Sequence, residues 1–200
     1  IEFLLQDKQY VKYVGYTADV QEWKNYKVVI VPSEFFEFHK SGTPLMPHLP
    51  LEKLEDIPIL FGTPSVNRTK DLVVIKADLV ASTFFLLSRY EELINKNRDQ
   101  HGRFPASESI LTKAGILHRP IVDEYGAFLR QTLRETGVNV PEPKQNISVT
   151  LTHDVDVPFV HRNFISILGG IKRGEFKDLI KNVFCSLNKN TYYTFPWLLE

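Results

Sequence analysis

Apolar and polar positions change period several times along the chain, and each change predicts an element. Residues 1–5 form a short apolar run and residues 10–17 alternate loosely; both read as strands. Residues 28–33, VVIVPS, are β-branched and continuous, the pattern of a strand buried on both faces. Pro44, Pro47 and Pro50 then exclude regular structure from the stretch that follows, and Phe35, Phe36 and Phe38 are assigned to core packing. Residues 58–62 and 72–75 read as two further strands separated by a polar turn. Asp78 is placed to cap a helix beginning near Leu79. Leu79, Val80, Phe84, Leu87, Tyr90, Leu93 and Ile94 recur at helical spacing and predict one broad buried face.

Residues 99–115 read as a loop with at most a short helix. His101 and Arg103 are candidate ligand contacts there; the plainer reading is a loop held by side-chain to backbone hydrogen bonds. Pro120 opens a helix with Ile121, Tyr125, Phe128, Leu129 and Leu133 on one face and Gly137 just past its end. A proline-bearing polar connector over residues 138–146 is the best domain boundary. It separates an amino-terminal α/β, sandwich-like domain with a mixed sheet, residues 1–144, from a second region, residues 145–200. That region opens with the strand ISVTLTHDVDVP, residues 147–158. An apolar pattern over residues 159–170 follows, then an amphipathic helix over residues 175–187 with Lys177 and Lys181 off its apolar stripe.

Composition narrows the classes. Lys plus Arg equals Asp plus Glu, 24 each, so nothing global points to nucleic acid as a partner. One cysteine, Cys185, excludes a disulfide framework or a cysteine-rich zinc site within one chain and fits a reducing, cytoplasmic compartment. No apolar run reaches the roughly 18 residues of a membrane span, so no transmembrane segment is expected. The chain starts at Ile1 rather than Met, without a charged-then-apolar leader, which suggests a trimmed end.

The chemistry sits on residues 147–156. Ile147, Val149, Leu151 and Val155 alternate with Ser148, Thr150, Thr152, Asp154 and Asp156. Strand period puts both aspartates on one face, their Cα atoms roughly 6.6 Å apart. Two carboxylates so close raise one pKa unless a cation intervenes. A divalent metal resolves the conflict: one carboxylate binds it and the other takes a proton from metal-bound water. His153 falls on the opposite face. The pattern Asp-x-Asp also occurs in sugar-nucleotide glycosyltransferases and in haloacid-dehalogenase-type phosphatases. In the phosphatases Gly and Thr normally follow, where Val157 and Pro158 stand here. Carboxylates that merely end a strand are the structural alternative.

Thr152-His153-Asp154-Val155-Asp156 resembles the first motif of the polysaccharide deacetylase superfamily, which includes chitin and peptidoglycan deacetylases. The upstream stretches PILFG, DLVASTFFLLSRYEE, HGRFPASES and AGILHRPIVDEY resemble, in order, the amino-terminal domain that precedes the deacetylase barrel in a bacterial subgroup. The resemblance implies that Asp154 is the general base and Asp156 a ligand of the catalytic metal, usually zinc. It also implies that residues 145–200 hold the first strand and helices of a (β/α) barrel truncated early. One residue separates the aspartates here, as in some members, where the commoner motif has them adjacent. The family's second motif, two histidines four residues apart, does not occur in residues 1–200.

The expected activity is metal-dependent removal of acetyl groups from N-acetylated sugars in a glycan, carried out by a longer protein, with this fragment inactive alone. A different class is also open: residues 1–144 as a non-catalytic glycan- or protein-binding module. A nuclease-like site in that domain is a further possibility, without a convincing acidic-lysine motif to back it.

Overall fold

The computed structural model describes residues 1–143, 148–152, 164–177 and 179–180. It divides into two compact units, Ile1–Lys144 and Gln145–Glu200.

The first unit is α/β with a mixed sheet. Its elements are α1 (Glu2–Leu5), β1 (Val14–Tyr16), β2 (Val28–Ile30), α2 (Phe35–Lys40), β3 (Glu52–Leu54), β4 (Ile57–Ile59), β5 (Gly62–Arg68), β6 (Val73–Ala77), α3 (Leu79–Leu87), α4 (Tyr90–Ile94), α5 (Ile110–Lys113) and α6 (Ile121–Glu135). The four-stranded sheet runs β1-β2-β6-β5. β1, β2 and β6 are parallel, with Val28 opposite Val73 and Ile30 opposite Ile75; β5 joins β6 antiparallel. β3 and β4 form a separate antiparallel pair.

The sheet is buried because its central strands are almost wholly apolar, with Lys76 near the end of β6 their one polar side chain. Val28, Val29 and Ile30 are wholly inaccessible to solvent, as a strand covered on both faces requires. Val28, Ile30, Val73 and Ile75 share one core with Tyr125, Leu129 and Leu133 of α6. The apolar stripe read from the sequence is therefore the face α6 buries. Pro120 caps its start, and Gly137, at φ +84°, follows its end. Tyr125 donates its hydroxyl hydrogen to the Pro58 carbonyl at 2.7 Å, and Arg130 Nη1 donates to the Leu4 carbonyl at 2.8 Å. Those two bonds tie α6 to β4 and to α1. A second core gathers Phe35, Phe61, Phe85, Tyr90 and Ile110, with ring centroids 4.7 Å apart for Phe35 and Phe61.

Several expectations need correction. Residues 2–5 are helical rather than extended; four residues carry too little periodicity to separate the two, and burial of Leu4 and Leu5 against α6 decides. Residues 8–13 form a 3-10 helix, and only the last part of the segment expected as a strand, Val14–Tyr16, is one. The polar turn expected after residue 62 is instead the seven-residue strand β5, and the strand expected over residues 58–62 ends with β4 at Ile59. The single helix expected from Leu79 breaks at Arg89, which adopts φ 53°. Its buried face is Leu79, Ala81, Ser82 and Phe85, whereas Phe84, Leu87 and Leu93 are exposed. Phe35 is fully buried, as expected, but opens α2.

In the second unit, residues 148–152 have no strand partner among the described residues and are not a strand. Val149 and Leu151 are exposed, and the rest of the expected strand lies outside the described residues. A helix, α7 (Phe164–Arg173), carries the apolar pattern straight through Gly169 and Gly170. Most of the helix expected over residues 175–187 lies outside the described residues. No helix among the described residues is long and apolar enough to cross a membrane.

Candidate functional site

The carboxylates singled out in the sequence, Asp154 and Asp156, lie outside the described residues, as do His153 and His161. Among the described residues, no group of three or more His, Cys, Asp or Glu side chains stands close enough to hold a metal ion. The donors that the resemblance assigns to the metal therefore do not enter the described geometry.

The loop bearing His101 and Arg103 takes its plainer reading. One Asp99 carboxylate oxygen accepts from the backbone N–H of His101 at 2.8 Å and of Arg103 at 2.9 Å. The Arg103 guanidinium pairs with the other at 3.0 Å. The backbone N–H of Arg103 is the leading cause that holds the Asp99 carboxyl below its usual range.

What the fold does assemble lies at the carboxyl ends of the parallel strands, the edge at which open α/β sheets place their ligands. Tyr16 ends β1, Ser33 stands just beyond β2, and Asp78 directly follows β6. The three meet at the Asp78 carboxylate, which is wholly buried. Tyr16 donates its hydroxyl to both carboxylate oxygens, at 3.1 and 3.0 Å. Ser33 donates its backbone N–H and its hydroxyl to Oδ2, each at 2.7 Å. The Ala81 N–H donates to Oδ1 at 2.9 Å, so the same side chain caps α3. Burial, reinforced by the adjacent Asp78 charge, pushes the Tyr16 phenol well above its ordinary range.

This arrangement is a lock rather than a catalyst. Both carboxylate oxygens are committed to uncharged donors on three separate elements, which holds those elements together. The cap on α3 was legible because Asp78 precedes a helical run. Its other partners were not, being 62 and 45 residues away in the chain.

Beside the lock opens a cleft of about 520 Å³, within the range of about 300–1,000 Å³ typical of small-molecule sites. Ser33 and Lys76 reach it from the sheet edge, Gly62 and Thr63 from β5, and Met46 and His48 from the proline-bearing loop. Gly62 is fixed there by geometry: it sits at φ +84°, and a Cβ would stand 2.4 Å from the Lys76 carbonyl oxygen. Nothing local in the sequence signalled this cleft, because its walls come from four separate stretches.

Residues 2–138 match the model of a family described as of unknown function, DUF7033. No curated protein and no solved structure matches the chain.

Proposed function

The chain belongs to the DUF7033 family, whose function is unknown, and from that premise we propose that it is part of a metal-dependent deacetylase acting on N-acetylated sugars of a glycan. In this reading residues 1–144 are an accessory α/β domain and residues 145–200 open a (β/α) barrel. The observation that carries it is the sequence LTHDVDVP, standing behind four upstream stretches in the order found in bacterial deacetylases with an extra amino-terminal domain. The division of the chain at Lys144 and Gln145 supports it, because the motif then falls just inside a unit of its own.

Asp154 is the general base and Asp156 a metal ligand. A divalent metal, zinc in the family resembled, would supply Lewis acidity to the acetamide carbonyl and lower the pKa of the attacking water. Asp154 takes the proton of the attacking water, and Asp156 contributes an oxygen donor of the hard type such cations accept. The site also needs nitrogen donors, which the resemblance assigns to a later motif absent from residues 1–200.

The test is acetate release from an N-acetylglucosamine oligomer by the native-length protein with added zinc. Asp154→Asn is expected to lower the rate by about 10²–10⁴, the usual contribution of a positioned general base. Release that persists unchanged in that variant overturns the assignment.

A further inference from the structure

The lining of the cleft beside the Asp78 lock is mixed: Leu45, Met46, Ile59 and Leu60 are apolar, and Glu34, His48, Glu52 and Lys76 are polar. None of these four polar side chains makes a hydrogen bond or ion pair with another described residue. The walls are also held in place. Asp78 pins Ser33 through both its backbone and its hydroxyl, and Gly62 lies so close to the Lys76 backbone that a Cβ there would stand 2.4 Å from its carbonyl oxygen. A preorganised cleft with unused polar groups loses little on ordering when a ligand enters.

The lining selects among ligands by charge and shape. Glu34 and Glu52 set two carboxylates against one ammonium, Lys76, so a phosphate, a nucleic acid or an acidic glycan is disfavoured. Hydroxyl groups suit free carboxylates, an imidazole and the Thr63 hydroxyl, while the apolar side chains suit the C–H face of a pyranose ring. A ligand that offers hydroxyls, an apolar ring face and a positive charge meets all three demands.

We propose that this cleft binds an amino-sugar unit whose amine is free, the product of the deacetylation proposed above, so that residues 1–144 hold glycan that has already been processed. The choice of an amino sugar rests on that reading; the cleft itself does not. Glu34 and Glu52 receive the ammonium and neighbouring hydroxyls, and the apolar side chains carry the ring.

The experiment titrates the 200-residue chain with a glucosamine oligomer, an N-acetylglucosamine oligomer and a glucose oligomer, by calorimetry and by amide NMR shifts. The glucosamine oligomer is expected to bind about tenfold or more tightly than the other two, with shifts at Ser33, Thr63 and Lys76. Glu34→Gln with Glu52→Gln, both exposed and so harmless to folding, is expected to remove that preference. Absence of binding, equal binding of all three oligomers, or a preference indifferent to the double substitution overturns the proposal. Acetate release reports on the deacetylase separately. Binding without release leaves the cleft standing and removes the enzyme reading; release without binding does the reverse.

Discussion

Asp78 holds three strand ends and one helix start with a carboxylate that meets no cation among the described residues, where every hydrogen bond to it comes from Tyr16, Ser33 or Ala81. A buried charge of this kind is stable only while its donors stay in place, since each one removed leaves part of the charge unsatisfied. Tyr16→Phe is accordingly expected to cost about 1–3 kcal/mol in urea unfolding. The same substitution changes the alkaline response. The Tyr16 phenol is pushed above its ordinary value of 10.0 on folding, and so is that of the fully buried Tyr125. A raised phenol pKa means that the folded state holds its proton more tightly than the unfolded one. Stability is therefore complete below about pH 10 and declines as pH rises beyond it. Unfolding curves between pH 9 and 11 are expected to show that decline in the wild type and a shallower one in Tyr16→Phe, where only Tyr125 remains.

Elements with a strong period were legible, and those whose stability comes from neighbours were not. The α6 stripe of Ile121, Tyr125, Phe128, Leu129 and Leu133 is buried as its spacing required. β2 and β6 likewise follow from their β-branched runs. β5 could not be read, because GTPSVNR has neither alternation nor a continuous apolar run; it is a strand because β6 offers an unpaired edge. An edge position also tolerates Pro64 within it. The break at Arg89 was hidden because the apolar residues keep helical spacing across it. Two glycines separate backbone strain from crowding at this scale. Gly137, at φ +84° with open space around it, is expected to lose about 1–2 kcal/mol as Gly137→Ala from left-handed strain alone. Gly62, at the same φ but against the Lys76 carbonyl, is expected to lose clearly more as Gly62→Ala, because β5 must move away from β6. Equal losses in chemical unfolding would contradict the packing assigned to that strand.

At the scale of the molecule, one unit supplies a folded α/β body with its own cores and a cleft, and the other carries the paired aspartates. The α/β class was legible because two buried strands and a capped helix follow one another along residues 28–87, whereas the strand that makes the sheet mixed, β5, was not. The cleft was not, since it exists only where the sheet edge, β5 and the proline-bearing loop come together. Asp154 and Asp156 were found in the sequence by their spacing and by the motif they resemble, and the roles proposed for them differ in a way one comparison separates. Zinc content and acetate release should be measured together on native-length protein, for the wild type, Asp154→Asn and Asp156→Asn. The account predicts that Asp154→Asn keeps its zinc and loses its activity, while Asp156→Asn loses both. Zinc retained in Asp156→Asn, or acetate release retained in Asp154→Asn, contradicts it.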